Sequence, residues 1–320
     1  MALISKPLFI VLTATALGSG LAGYVWHEEN RLPQLELYIF ALSSGRSMFI
    51  RTPDDKRIVV DGGANFEIIR HLSKILPFYS RRIDAVIVTN TEGKNVGGLI
   101  DLVQRYEIGQ VYLPAVTLQS LALASSSDQV FDVFMKVLNE KSLPLHKIGA
   151  GDFVILDKKS PINILFPADS SNFAYSKTSA PEILFELFFG QTRIVFMGDA
   201  SNKTQKFIAS NSLNNINSFA FPEFTDVLIV SRSALPANIA GQLIEKIKPR
   251  YLVYSKSPTS RSYKQTQASS SSKKKKESID SLEYIKADQR FNLKEKGTVK
   301  VVSDGIHVNI GYVGEQSSGK

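Results

Sequence analysis

The sequence predicts an α/β domain made of two mixed β-sheets packed face to face, with helices outside. Each half of the chain opens with short strands spaced as hairpins and continues with strand–helix units, the pattern that builds such sheets. The 320 residues are 43% hydrophobic and 21% charged, the balance of a globular chain. A wholly disordered, collagen-like or many-times membrane-spanning chain would be composed differently. Cysteine is absent, which excludes disulfides, thiolate metal sites and a cysteine nucleophile.

Residues 7–26 carry no charge and are preceded by Lys6 and followed by Glu28, Glu29 and Arg31. As a helix they would rise about 30 Å, the thickness of a bilayer's hydrocarbon core. Tyr24 and Trp26 suit the interfacial belt. Residues 1–30 are therefore expected to form an N-terminal transmembrane helix that anchors the chain. The alternatives are a secretory signal peptide, with Ala14-Thr15-Ala16 or Gly20-Leu21-Ala22 as cleavage site, and a buried core helix. With Lys6 inside, either membrane reading makes the folded domain extracytoplasmic, in the first case on a single-pass membrane protein.

Residues 31–256 carry the main domain. Strands are expected at 35–42, 47–51 and 56–60, the last two joined by Thr52-Pro53-Asp54-Asp55. Phe66, Ile69, Leu72, Ile75 and Leu76 recur at helical spacing. A buried strand is expected at 83–89 and a helix from Gly97-Gly98 to about Tyr106. A short strand at 111–113 precedes a helix at 129–140, with Asp128 placed to cap it. The second half repeats the theme, with strands at 153–156, 162–166, 183–189 and 193–197 and a helix from Lys203. A strand at 227–230, a helix at 239–247 and a strand at 251–254 follow. Residues 257–278 form a Ser/Lys-rich stretch expected to be disordered, since it cannot bury a core. Residues 279–320 return with a hairpin around Ser303-Asp304-Gly305, completing the same domain before a short tail.

The net charge of +8 is local. Lys256, Arg261, Lys264 and the run Lys273, Lys274, Lys275 and Lys276 account for nearly all of it, leaving the rest at about +1. The tract reads first as a solvated insertion and second as a polyanion contact for phosphates or anionic headgroups. Tyr263 is its one aromatic residue, too few for stacking on successive bases. The four histidines, His27, His71, His146 and His307, are scattered, which speaks against a histidine-rich metal centre.

Specific residues carry a resemblance. Val86-Ile87-Val88-Thr89-Asn90-Thr91-Glu92-Gly93-Lys94-Asn95-Val96-Gly97-Gly98-Leu99 resembles the metal loop of the metallo-β-lactamase superfamily, in which His-x-His-x-Asp-His-x-Gly-Gly-Leu follows a buried strand. Ile58-Val59-Val60-Asp61-Gly62-Gly63 looks like that superfamily's opening hairpin and turn. Thr192-Arg193-Ile194-Val195-Phe196-Met197-Gly198-Asp199 is similar to the strand delivering its metal-bridging aspartate. The soluble domain of ComEC-type DNA-uptake proteins is the subgroup most resembled. Gly151-Asp152-Phe153, Ile162-Asn163-Ile164-Leu165-Phe166-Pro167 and Gly297-Thr298-Val299 contribute to that likeness. The resemblance implies an αββα sandwich and, in the family, metal-dependent hydrolysis.

The departures fall on the ligand positions. Asn90, Glu92, Lys94 and Asn95 stand where the family places three histidines and an aspartate. Ser43-Ser44-Gly45-Arg46 puts arginine where the subgroup has an acidic residue, and Ser231-Arg232-Ser233 stands where it has Gly-His-His. Asp199 matches; Asp61, Gly62 and Gly63 match as a structural turn, with Asp61 expected to satisfy the glycine backbones. Metal-bound water, whose pKa drops from about 15.7 to about 7 at zinc, drives the family's hydrolysis. A lysine beside a dication repels it, since two unit charges about 4 Å apart interact by ~4 kcal/mol at an effective dielectric near 20.

No cofactor is therefore expected, zinc least of all, and Lys94 is expected to pair with Asp199 and Glu92 or to point to solvent. The expected function is a non-catalytic, membrane-anchored binding or scaffolding module, linked to DNA uptake through the resemblance. The partners are the membrane, an unidentified protein and, by that link, nucleic acid. One alternative is a phosphodiesterase or nuclease-type hydrolase holding manganese or magnesium through Asn90, Glu92, Asn95 and Asp199. The other is an electrostatic DNA or lipid tether working through the lysine tract.

Overall fold

Along β1 (Leu35–Ile39) Leu35, Leu37 and Ile39 are buried while Glu36 and Tyr38 are half-exposed, the period-two pattern of a strand with one face on a core. The computed structural model describes residues 33–115, 129–168, 182–210, 224–230, 241–255 and 285–314. After β1 come β2 (Met48–Arg51), β3 (Arg57–Val60), α1 (Glu67–Ile75), β4 (Arg82–Ile87) and α2 (Gly93–Arg105). Then β5 (Glu107–Pro114), α3 (Gln129–Glu140) and β6 (Leu145–Ile148) close the first half. β1 to β3 pair antiparallel, and β3 to β6 pair parallel. Parallel pairing needs crossovers, and α1, α2 and α3 lie in them.

The second half follows the same plan. Its strands are β7 (Phe153–Val154), β8 (Ile162–Phe166), β9 (Leu184–Phe189) and β10 (Thr192–Phe196), all antiparallel. α4 (Asn202–Ser210), β11 (Thr225–Ile229), α5 (Gly241–Ile247), β12 (Pro249–Tyr254) and β13 (Arg290–Asn292) continue it, and β10 to β13 pair parallel. After α6 (Leu293–Lys296), β14 (Val299–Ser303) and β15 (Val308–Tyr312) return to the first sheet, where β14 pairs antiparallel with β1, Leu35 opposite Ser303. Among the described residues the sheets run β15-β14-β1-β2-β3-β4-β5-β6 and β13-β12-β11-β10-β9-β8-β7.

Burial defines four layers. Leu37, Ile50, Ile58 and Ile87 of the first sheet share one apolar cluster with Ile164, Phe185, Ile194 and Val227 of the second, so the sheets meet face to face. The outer face of the first sheet packs on α1, α2 and α3 through Leu72, Leu99, Leu102 and Phe134. That of the second packs on α4 and α5 through Ile208, Leu243 and Ile247. The α/β class and the two mixed sheets expected from the sequence are present.

Several elements differ from expectation. α2 starts at Gly93, not at Gly97-Gly98, because the backbone N–H groups of Asn95 and Val96 already reach the Glu92 carbonyl at 2.8 and 3.2 Å. Gly97 is a close-approach residue within the helix rather than its opening: a Cβ there would lie 2.2 Å from the Ala64 carbonyl oxygen. β5 extends back to Glu107 through polar residues, held by parallel pairing with β4. β6, exposed over its first three residues, and the three-residue β13 carry no apolar pattern that would announce them.

Among the described residues no helix is long and apolar enough to cross a membrane. The uncharged stretch at 7–26, expected to cross a membrane, Asp128, Ser231-Arg232-Ser233, and the tract 257–278 with Lys273, Lys274, Lys275 and Lys276 lie outside the described residues.

Candidate functional site

Three chain segments leave the sheets at one end and meet there: the residues after β3, after β4 and after β10. In open α/β sheets the carboxyl ends of parallel strands are the usual place for a site. The β1–β2 loop bends over this end, and Arg46 projects from it. Arg46 Nε is 2.7 Å from Asp61 Oδ2, which follows β3, and Nη1 is 3.4 Å from Asp199 Oδ2, which follows β10. Nη2 contacts Glu182, just before β9, and donates to the Thr89 hydroxyl after β4. The guanidinium carbon also lies 5.6 Å from the centre of the Phe196 ring. One planar cation thus joins three carboxylates from both sheets.

Asp61 occupies the left-handed region at φ 55°, so its backbone does shape the turn after β3. Its carboxylate has another role than the expected one. It accepts from the Thr89 N–H at 2.8 Å and the Thr89 hydroxyl at 2.6 Å, besides Arg46. The N–H groups of Gly62 and Gly63 donate instead to the carbonyls of Asn95, at 2.7 Å, and Arg46, at 2.9 Å. These bonds tie the Asp61-Gly62-Gly63 turn to α2 and to the β1–β2 loop.

The loop resembling a metal loop holds itself closed. The Asn95 side-chain amide donates to Asn90 Oδ1 at 2.8 Å, and the Glu92 N–H donates to the same oxygen at 3.2 Å. Lys94 Nζ is 2.7 Å from Glu92 Oε2 and 3.6 Å from Asp199 Oδ2, at the rim, with its side chain 47% exposed. The structure therefore brings Asn90 and Asn95 together, and Glu92, Lys94 and Asp199 together. Arg46 appeared in the sequence as a departure without a role, and Glu182 was missed. A signal for Glu182 did exist: it is a carboxylate at the head of the apolar run Ile183-Leu184-Phe185, where a buried charge requires a partner.

Electrostatics follow from burial. Burial is the main force raising Glu182 to a pKa of about 7, opposed by the Arg46 cation and assisted by Asp199. Burial also raises Asp61, against the pull of Arg46 and Thr89. For Arg46, burial alone would lower the pKa, but Glu182, Asp61 and Asp199 together outweigh it, and the guanidinium stays charged. Lys94 is likewise raised: desolvation is outweighed by Glu92 and Asp199.

Beside this network lies a cleft of about 150 Å³. Phe40, Leu42, Met48, Phe196 and Val230 give it apolar walls, and Arg46, Lys94, Asp61, Asp199 and Lys294 give it polar ones. Lys294, from α6, holds the β1–β2 loop in place by donating to the carbonyls of Leu42 and Ser43. A carboxyl titrating near neutrality is a candidate general acid or base. Glu182, however, is not among the cleft's lining residues and is engaged by Arg46 and the Asp199 N–H.

The residues present do not fit the zinc that the sequence resemblance implies. Zinc needs about three imidazole, thiolate or carboxylate ligands with free lone pairs. Here the Asn90 amide oxygen is occupied by two N–H donors, and a guanidinium and an ammonium stand among the carboxylates. Among the described residues no three histidine, aspartate or glutamate groups are arranged to hold a metal ion. The described histidines lie elsewhere: His71 is half-buried against Phe40, His146 of β6 lies against Tyr112 of β5 with tilted rings, and His307 meets Asp304 in the β14–β15 turn.

No protein-family model and no curated protein matches the sequence. Solved structures are similar in fold. A mutant of CmlA β-hydroxylase shares 14% identity over 69% of this chain, with a TM-score of 0.45. This chain covers 45% of that hydroxylase. A diphosphatase of the PhnP family shares 13% identity over 69% of this chain and 86% of its own, with a TM-score of 0.43. MEM-A1, a subclass B3 metallo-β-lactamase from a soil metagenome library, shares 12% identity over 65% and 79%, with a TM-score of 0.40. At these identities the likeness is to the course of the chain alone and assigns no activity.

Proposed function

We propose that this chain is a membrane-anchored, non-catalytic protein that uses a metallo-β-lactamase-type scaffold as a binding or scaffolding module outside the cytoplasm. The observation that carries the loss of hydrolysis is the Arg46 guanidinium lodged among Asp61, Glu182 and Asp199. A cation built into the chain removes both the charge and the free lone pairs that a catalytic dication would require. The uncharged stretch at 7–26 supports the anchor. The link to DNA uptake rests on the ComEC-type sequence resemblance and on nothing in the cleft.

The test is metal analysis of the purified full chain, together with hydrolysis of a phosphodiester and of DNA in manganese and in zinc. The expected result is substoichiometric metal and no turnover above that of an Asp199→Asn control. Stoichiometric metal with turnover abolished in the control overturns the reading and favours a hydrolase.

A further inference from the structure

We infer that the end of the domain opposite the Arg46 site docks on an anionic lipid surface, through the aromatic tip Phe78-Tyr79 and the cations beside it. The inference rests on the reading that residues 7–26 anchor the chain, and it adds which face of the domain meets the bilayer. Phe78 and Tyr79 lie in the loop between α1 and β4 and are 90% and 76% exposed. Their rings meet edge to face, with centroids 5.4 Å apart. Single exposed apolar side chains are ordinary on a protein surface, but paired rings at a loop tip within a charged rim mark a contact. Residues 68–83 contain Arg70, Lys74, Arg81 and Arg82, all exposed, and no acidic residue. Arg105 ends α2 beside them, since Glu107 pairs with Arg82. Aromatic rings suit the boundary between headgroups and acyl chains, and the cations suit anionic headgroups.

What selects lipid as the occupant is where the chain enters the domain. β1 runs antiparallel to β2, β2 antiparallel to β3, and β3 parallel to β4, so β1 and β4 point the same way. Both lead into the Arg46 site, and both begin at the opposite end, β1 at Leu35 and β4 at Arg82. The chain therefore reaches the domain at the end that carries Phe78 and Tyr79. Eight residues, 27–34, separate the uncharged stretch from β1, a reach of at most about 30 Å. A tether that short gives the tip an effective concentration at the bilayer on the order of millimolar, so a small contact suffices. The acidic β2–β3 turn at the same end does not oppose it. Asp54 is held by Lys159 at 2.7 Å, and Asp55 by Arg57 at 2.9 Å and Arg51 at 3.5 Å. Docking this end turns the cleft beside Arg46 away from the lipid, towards a soluble partner.

The experiment reconstitutes the full chain into vesicles with brominated acyl chains, made of phosphatidylcholine alone or with phosphatidylglycerol added. Trp26 is the sole tryptophan, so Trp26→Phe gives a background in which one reporter can be read. Phe78→Trp reports from the tip, and Phe66→Trp, 57% exposed at the start of α1, reports from the site end of the same helix. With phosphatidylglycerol, F78W should lose roughly half of its emission, because a side chain seated ~5–10 Å into the headgroup–acyl boundary lies within reach of the bromines. F66W should lose almost none. Adding Lys74→Gln/Arg81→Gln, which leaves the Arg82–Asp84 pair intact, should bring the quenching of F78W down to its value in phosphatidylcholine alone. High salt should do the same.

If F78W is recovered unfolded, Tyr79→Trp takes the same measurement from the neighbouring side chain and decides. The inference is overturned if the tip reporter is quenched no more than F66W, which leaves the exposed rings to a protein partner. It is equally overturned if the quenching is the same in both lipids or survives K74Q/R81Q. The anchor is judged separately, by alkaline carbonate extraction of the wild-type vesicles. Release of the chain removes the anchored reading whatever the reporters show, and retention with an unquenched tip removes the docking alone.

Discussion

Arg46 and Lys94 are both cations beside Asp199, yet they stand in different surroundings. The Arg46 side chain is nearly enclosed, whereas that of Lys94 is about half exposed. Leaving buried carboxylates uncompensated costs about 3–5 kcal/mol, while a solvated pair contributes at most about 1 kcal/mol and fades with salt. Chemical denaturation should therefore show Lys94→Met losing less than about 1 kcal/mol, with the loss vanishing in high salt. Arg46→Met should lose several times more, with little salt dependence. Glu182 adds a pH dependence. Its folded pKa of about 7 lies above the ordinary carboxyl value of 4.5, because burial penalises its charge. The folded state then binds a proton that the unfolded state has released, so stability is greatest below pH 4.5 and falls as pH rises towards 7. The full effect is up to about 3 kcal/mol. Melting temperature measured from pH 5 to 8 should decline, and Glu182→Gln should flatten that decline; an unchanged slope in the variant would remove Glu182 as its source.

At the scale of elements, the site depends on how closely the β1–β2 loop approaches α2. An alanine at position 45 would be strained by its positive φ and would meet the backbone of Lys94, which has no side-chain freedom with which to yield. Gly45→Ala should cost about 2 kcal/mol or more and should lower stability as Arg46 variants do, since it withdraws the arginine. Gly45→Ala and Arg46→Met should then combine less than additively. The helix α2 was legible in the sequence, but its start was not. Gly93, Lys94 and Asn95 look like loop residues, and Gly97-Gly98 looks like a helix opening. Contacts with the β3–α1 turn and the Glu92 carbonyl reverse that reading.

For the whole molecule, the end of the chain completes what its beginning starts. β14 lies between β1 and β15, and Val299 and Val301 join the core between the sheets. Truncation after Lys296 would expose the edge of β1 and uncover that core, and the product should be insoluble when expressed. Deleting 257–278 should leave the melting temperature within about 2 °C of wild type, because Tyr263 and Ala268 are too few apolar residues to build into a core. Salt-dependent binding to DNA or anionic vesicles that persists after the deletion would exclude Lys273, Lys274, Lys275 and Lys276 as its source.

The sequence by itself determined the α/β class, the hairpins followed by strand–helix units in each half, and the amides and cations at the positions where a metal loop would carry its ligands. These are local properties: side-chain periodicity is set by the backbone, and residue types are read directly. The tertiary structure alone decided which cation sits among which carboxylates. Lys94 was the visible candidate because it lies inside the loop, while Arg46, Asp61, Glu182 and Asp199 are scattered along the chain. Pairing of buried charge depends on distance through the folded protein and on exclusion of water, and neither exists until the two sheets have closed on each other.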